Sequence, residues 1–376
     1  MLIRVKIGLK PFHSETPFLA IPGNVSFTND GKVRENARSC FNFTELGKYL
    51  FMSSKNNNDL IRPIAHLKGV RPEAPRWFDD ALNVESEEGS VDVNGTKIAY
   101  SAWGDIGARG LLFIHGGRAH RNWWRPFAPF FSKSFRVAAL DLSGMGDSGW
   151  RETYSIDCMV DEIFAVIKAA GLDQGGRPLI VGHSFGGWMA LAAVEREGDC
   201  LAGAVVIDSP LGEPDPHEGY TVVHSANSAD KQKQTSTRVY NTIEEPIARF
   251  RFLPNQLADE HYLVDYIARM GLHEVDNPAG GRGWTWKFDP GPTWTADIRF
   301  ERGLIRASRC PLAFIYGEKS LFVQGDSVTY LREQARGRSP FIMMPDSHHH
   351  LMMDHPMAFI TTLRTLFSCW PIRVGG

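Results

Sequence analysis

Six short apolar runs recur along the chain, and each is closed by glycine, proline, serine or an acidic residue: GLLFIHGG (110–117), FRVAALDL (135–142), PLIVGHS (178–184), AGAVVIDSP (202–210), CPLAFIYGE (310–318) and PFIMMPDS (340–347). A strand that is apolar on both sides has no face to offer water, so it belongs inside a sheet covered above and below. Helical patterns alternate with the runs. VDEIFAVIKAAGL (160–172) places apolar residues near i, i+3, i+4 and i+7 and ends at Gly171, GWMALAAVERE follows the third run, and PMAFITTLRTLFSCW closes the chain. This alternation predicts an α/β fold, a mostly parallel sheet with helices on both faces. Ahead of it, EGSVDVNGTKIAYSAWG alternates around Asn94-Gly95 and predicts an antiparallel hairpin.

One region breaks the rhythm. Residues 211 to about 305 lie between two predicted strands and far exceed the length of a crossover helix. They contain EEPIARFRFLPNQLADEHYLVDYIARMG and the aromatic stretch GGRGWTWKFDPGPTW, and they read as an inserted helical cap over the sheet's C-terminal edge. The core then comprises 73–210 and 306–376. Residues 1–72 lack periodicity and read as a poorly ordered extension; up to residue 70 they carry ten Lys/Arg against five Asp/Glu, and Met52 is a candidate translation start.

A formal charge of −2 supplies no attraction to nucleic acid or anionic lipid. No run of about 18 apolar residues is present, so no spanning helix is expected, and the opening residues hold no apolar stretch of signal-peptide length. Cys40, Cys158, Cys200, Cys310 and Cys369 are widely spaced and odd in number, which suggests neither a disulfide framework nor a zinc site. A soluble cytoplasmic protein is the expectation.

The third run breaks at Gly182-His183-Ser184-Phe185-Gly186, where a strand must turn sharply into a helix and expose a hydroxyl at the sheet edge. This Gly-x-Ser-x-Gly pattern resembles the nucleophile elbow of the α/β-hydrolase superfamily, here a serine esterase-like member with a cap domain. The resemblance spans roughly residues 73–370. It implies Ser184 as nucleophile, with the amides of Gly117 and Phe185 forming an oxyanion hole; His115 is read as a structural member of the His-Gly-Gly turn. In similar hydrolases the base precedes a proline-started final helix by seven residues, and counting back from Pro356 gives His349; His348, His350 and His355 are its alternates. Three successive histidines cannot easily face one ion, so no metal is expected.

The acid is less direct. The position where relatives often carry it, after the next-to-last strand, holds Ser320. Some relatives keep the acid one strand after the nucleophile, and Asp208 fills that place; Glu318 and, more remotely, Asp346 are the alternatives. Asp141, Ser143 and Ser148 in LDLSGMGDSGW are read as parts of a structural turn, because the glycines do not follow a dinucleotide-binding fingerprint. Trp123, Trp124, Trp284 and Trp286, with Trp294, either line an apolar pocket or pack the cap onto the core. The resemblance implies cofactor-free acyl transfer from an ester-like small molecule, a carboxylic ester or thioester, to water. A serine in the elbow argues against dehalogenase and epoxide hydrolase chemistry, whose relatives use an aspartate there. A small-molecule receptor with little turnover is the rival, motivated by the missing carboxylate at 320.

Overall fold

In the computed structural model the described residues are 61–211, 237–291 and 304–370. A short helix α1 (Arg76–Leu82) precedes the hairpin of β1 (Glu87–Val93) and β2 (Thr96–Trp103). Asn94 and Gly95 both take positive φ, 51° and 77°, as a two-residue hairpin turn requires. Then follow β3 (Arg109–Ile114), β4 (Phe135–Leu140), α2 (Ile156–Ala169), β5 (Leu179–His183), α3 (Phe185–Glu197) and β6 (Gly203–Ile207). The inserted segment then carries α4 (Glu244–Ala248), α5 (His261–Met270), β7 (Leu272–Asp276) and β8 (Arg282–Trp286), and α6 (Leu304–Ala307) spans its end. The chain returns to the sheet with β9 (Leu312–Gly317), α7 (Asp326–Ala335), β10 (Phe341–Met344), α8 (Leu351–Asp354) and α9 (Pro356–Ser368).

The main sheet has eight strands in the order β1-β2-β4-β3-β5-β6-β9-β10. Pairings from β4 through β10 are parallel, whereas β1–β2 and β2–β4 are antiparallel. Side-chain parity explains why the strands read as unbroken apolar runs. Leu112, Ile114, Ala138, Leu140, Ile180 and Val206 enter one core with α2 and α3, while Leu111, Phe113, Val137, Ala139, Val181 and Val205 enter a second core with α9. The central parallel strands therefore feed two apolar layers, which is why they read as unbroken apolar runs.

Two expectations change. The extension expected to reach residue 72 ends no later than Ile61 among the described residues: Ile64 is fully buried, and Ile61 exchanges main-chain hydrogen bonds with the Asn255 side chain at 2.8 and 2.9 Å. The polar stretch SSKNNND obscured this short apolar anchor. The proposed disorder of residues 1–60 and the start at Met52 lie outside the described residues. The inserted segment, expected to be helical, is mixed, because β7 and β8 pair antiparallel with Leu272 opposite Trp286. Alternation in RGWTW supports this hairpin, and Gly280 and Gly281 at φ 104° and 76° make its turn. The helix α7 was not anticipated; its buried residues are only Leu331 and Ala335, too few to impose a clear helical period.

The inserted segment is held down by the Gly-rich turn after β4. Gly146 N–H donates to Lys287 O and Asp289 N–H to Gly144 O, both at 2.8 Å, and Tyr154 donates its hydroxyl to Asp289 at 2.8 Å. Asp141 organises that turn: its buried carboxylate accepts the Arg121 N–H at 2.5 Å, the Arg121 guanidinium, and the Asp147 N–H at 2.8 Å. Ser148 Oγ donates to Asp141 O at 2.6 Å and accepts from Ala99 N–H at 2.9 Å. Glu162 accepts the Ser143 N–H at 2.9 Å. These groups are scaffolding, as their place in a glycine turn suggested.

Candidate active site

The site is assembled where β3, β5, β6 and β9 end. At the end of β5, Ser184 has φ 52° and ψ −117°, a backbone geometry costing a non-glycine residue about 1–3 kcal/mol. The surroundings hold it there. Ser184 N–H donates to Ile207 O at 2.8 Å, and Ser184 O accepts from Gly187 N–H at 2.9 Å and Ser209 Oγ at 2.8 Å. Glycine is required at 186, because a Cβ there would stand 2.5 Å from the carbonyl oxygens of both Ile114 and His115. The start of α3 is thereby pressed against the end of β3, and a side chain at either flank would spoil the turn.

That pressure brings the two expected oxyanion residues together. A Cβ built on Gly117 would lie 3.7 Å from Phe185 Cβ, and one on Gly116 would lie 3.4 Å from Ser184 Cβ. His115 is structural, as expected. Its Nε2 accepts from Leu142 N–H at 3.1 Å, which puts the proton on Nδ1, where it is donated to Gly116 O at 2.7 Å.

Asp208 and His349 meet. Asp208 ends β6 at φ 44°, and its main-chain N–H donates to Ile315 O at 2.8 Å. His349 Nδ1 donates to Asp208 Oδ1 at 3.1 Å. Oδ1 also accepts from Ser320 Oγ at 2.5 Å, and Oδ2 accepts from Gly317 N–H at 2.9 Å. Ser320 Oγ in turn accepts from Phe322 N–H at 3.1 Å and Val323 N–H at 3.2 Å, so its own proton goes to Asp208. The serine that stands in place of a carboxylate therefore positions the carboxylate of the neighbouring strand. Nothing in the sequence signalled this contact, which spans 112 positions.

Both members of the pair are buried, and burial governs their protonation. It pushes the Asp208 carboxyl up to about 7 against the opposing hydrogen bonds from Gly317 and Ser320. With three donors on its two oxygens, a carboxyl proton would have no acceptor, so the bonded arrangement is that of a carboxylate. Burial also pushes His349 down to about 3, so the ring is neutral at ordinary pH. Its Nδ1 carries the proton, and its Nε2 is buried without a hydrogen-bond partner. An uncharged imidazole with an unused lone pair is a base awaiting a proton.

The alternates lie elsewhere. Glu318 is exposed and accepts the Asp346 N–H at 2.9 Å, while Asp346, also exposed, pairs with Lys319. His348 is tied to Asp354, which accepts its N–H at 2.6 Å. His355 caps the start of α9. His350 is buried beside His349, and both its N–H and its Nδ1 bond Gln256 Oε1 at 2.9 Å. Gln256 also donates to Asp354 Oδ1 at 3.2 Å. A residue of the inserted segment thus braces the histidine loop on both sides of His349, a role sequence reasoning missed.

The tryptophans divide. Trp123 stands at the site, its ring 5.4 Å from His350 and 6.0 Å from Phe252. Trp124 is 1% exposed and stacked on Phe113 and Phe359, so its expected place on a pocket wall is corrected to one in the core. Trp284 and Trp286 are half-buried on β8. Trp286 is linked to the site through the aromatic succession Phe250, Phe252, His350. Trp294 lies outside the described residues.

The Alpha/beta hydrolase family model matches residues 111–362. The chain is 22% identical to "Epoxide hydrolase 3" of Xenopus tropicalis over 77% of this chain and 79% of that protein. It is 23% identical to "Esterase Rv0045c" of Mycobacterium tuberculosis over 72% of this chain and 87% of that one. Among solved structures, a thioesterase domain from the curacin biosynthetic pathway is similar in fold, with a TM-score of 0.59 at 20% identity, covering 74% of this chain and 99% of that domain. No helix among the described residues is long and apolar enough to cross a membrane.

Proposed function

Since the chain belongs to the alpha/beta hydrolase family and is a hydrolase by that membership, we propose that it is a serine hydrolase that cleaves an ester-like small molecule, a carboxylic ester or thioester, through an acyl-enzyme. The observation that carries this reading is the buried Asp208–His349 pair, whose basic Nε2 has no partner, on the same sheet rim as the strained Ser184. Nε2 of His349 takes the Ser184 hydroxyl proton as Oγ attacks the acyl carbonyl. The Gly117 and Phe185 amides hold the oxyanion, each donor being worth about 2.7–4 kcal/mol in the transition state. Asp208 stabilises the imidazolium that forms, which burial alone would disfavour. His349 returns the proton to the leaving alkoxide or thiolate. Water, deprotonated by the same nitrogen, then releases the acid.

Asp208 as the acid is supported by its hydrogen bonds, and Glu318 and Asp346 have none to His349. The receptor alternative loses its motive, since Ser320 serves the carboxylate of Asp208. A relative named for epoxide hydrolysis does not redirect the reading, because position 184 offers a hydroxyl where that chemistry would attack with a carboxylate. We assign the core to the described residues 61–210 and 306–370 and read the described part of the insertion, 237–291, as a cap over the site, with Trp123 on the wall. Among the described residues no disulfide joins Cys158, Cys200, Cys310 or Cys369, which fits the cytoplasmic location we propose. A fluorophosphonate probe tests the proposal. Labelling of the wild type and none of Ser184→Ala is the expected result; equal labelling of both, or none of either, overturns it. A series of esters and thioesters of increasing acyl length then defines the substrate.

A further inference from the structure

Two buried imidazoles, those of His183 and His350, stand beside His349, their ring centroids 4.8 and 4.7 Å from its own. One ring nitrogen each from His183, His349 and His350 lies within 4.8 Å of the others. Three successive histidines do not converge, since His348 turns to Asp354. The third ring comes instead from His183, the last residue of β5.

The hydrogen bonds fix where each proton sits. His349 Nδ1 faces Asp208 Oδ1 at 3.1 Å, His350 Nδ1 faces Gln256 Oε1 at 2.9 Å, and His183 Nε2 faces the His349 carbonyl oxygen at 3.0 Å. All three partners are acceptors, so each ring donates on that side and keeps its lone pair on the other. A histidine whose far N–H is held by a carboxylate, an amide oxygen or a main-chain carbonyl is how proteins prepare an imidazole for a metal ion. Phe322 packs edge-on against His349 at 4.7 Å, and Phe252 lies 4.7 Å from His350, which gives the cluster an apolar surround.

We propose that His183, His349 and His350 form a binding site for a divalent ion that favours imidazole, Zn2+ above all, and that its occupancy inhibits the enzyme. Three nitrogens at zinc's bond length of about 2.0–2.1 Å stand roughly 3.4 Å apart, so the rings must turn inward from their present spread. The ion uses three lone pairs and leaves a fourth position open to water or to the Ser184 hydroxyl. Inhibition follows because the lone pair of His349 is then no longer available to a proton. That consequence rests on the proposed function; the binding does not.

The test is calorimetric titration of ZnCl2 into the full-length, chelator-treated protein, with fluorophosphonate labelling followed in parallel. The expected result is a single ion per chain, bound at least about tenfold more weakly by His183→Asn and His350→Asn and undiminished in Ser184→Ala. Labelling of the wild type is expected to stop with Zn2+ and return with EDTA. Co2+ gives a readout that needs no variant, since three imidazoles produce the strong visible absorption of a four-coordinate site. No binding by the wild type, equal binding by the histidine variants, or only the pale spectrum of hydrated Co2+ overturns the site. If the metal-free chain does not label yet binds Zn2+ through these histidines, the hydrolase reading falls and the site stands. Labelling that ignores bound Zn2+ keeps the hydrolase reading and overturns the inhibition.

Discussion

Replacing Asp208 with asparagine keeps the shape of the site and changes one oxygen into a donor. Asp208 accepts three protons, from Ser320 Oγ and His349 Nδ1 at Oδ1 and from Gly317 N–H at Oδ2. If the amide oxygen stays on the Ser320 side, the new NH2 group meets the Gly317 N–H, and two buried donors face each other at a cost of about 1–3 kcal/mol. If the amide turns over, its NH2 group faces His349 Nδ1, which must then accept. The imidazole proton moves to Nε2, and the base is gone. Either orientation removes the negative charge that stabilises the imidazolium. A wrong tautomer in such a trio lowers kcat by about 10⁴, equivalent to roughly 5.5 kcal/mol. The expected result for Asp208→Asn is therefore a fall in kcat of about 10³–10⁴ with KM little changed, measured on a chromogenic ester of the preferred acyl length. Glu318→Gln, an exposed change that loses only a loop contact, is the control and should keep wild-type kcat. Near-normal turnover in Asp208→Asn, or an equal loss in Glu318→Gln, would refute the assignment of the acid.

Ser320→Ala removes the 2.5 Å bond to Asp208 and leaves Oδ1 with the histidine alone; kcat should fall about tenfold, in keeping with a loss of roughly 1–1.5 kcal/mol, and a kcat equal to wild type would show that the contact does not position the acid. Gln256→Ala takes the acceptor from the main-chain N–H and Nδ1 of His350 and frees Asp354, so chemical denaturation should show a loss of about 1–3 kcal/mol, with kcat falling alongside because His349 sits between His350 and His348, which Asp354 holds. Acid should unfold the protein early. His183 and His349 are pushed to about 3 and His120 to about 4 by burial, below the ordinary 6.5 of the unfolded chain. Their contribution is full above pH 6.5 and is lost as the pH falls toward their folded values, by about 2 kcal/mol per ring at pH 5. Burial raises Asp208, which acts in the opposite sense over the same interval and offsets part of that loss, so urea unfolding should show lower stability at pH 5 than at pH 8. A flat profile would contradict the buried, neutral histidine cluster.

The sequence disclosed most where one local constraint decided the outcome. Parallel strands buried on both faces leave an unbroken apolar run, and a strand that turns into a helix against a neighbouring backbone needs glycine, as at Gly186. Those two constraints placed β3, β5, β6, β9 and β10 and singled out Ser184, which is buried at the sheet rim. Counting from Pro356 reached His349, and the end of a buried strand reached Asp208. What stayed hidden depends on contacts between distant positions. Ser320 looks like a lost carboxylate until Asp208 is seen 112 residues upstream, because a hydroxyl in sequence does not say to whom it donates. Gln256 lies in the insertion, where no local period points toward the histidine loop. His183 sits inside the very pentapeptide that revealed the nucleophile, yet a residue inside a motif attracts the role of spacer.

The same distinction explains why polar residues of the site were harder to rank than to find. Judged by charge alone, a serine at 320 is a deficit. In the folded chain charge and position are supplied by different strands: β6 brings the carboxylate, while the turn after β9 brings two donors, Gly317 N–H and Ser320 Oγ, that aim it at His349. A carboxylate so held cannot rotate without breaking bonds to both, and this fixes the tautomer of the imidazole it faces. Moving an acid between neighbouring strands is therefore a conservative change as long as the vacated position keeps a proton to donate. Alanine at 320 lacks that proton, whereas threonine keeps it, and Ser320→Thr should retain more of kcat than Ser320→Ala; the reverse order, measured on the same ester in two folded variants, would mean that side-chain volume and not the donated proton holds Asp208 in place.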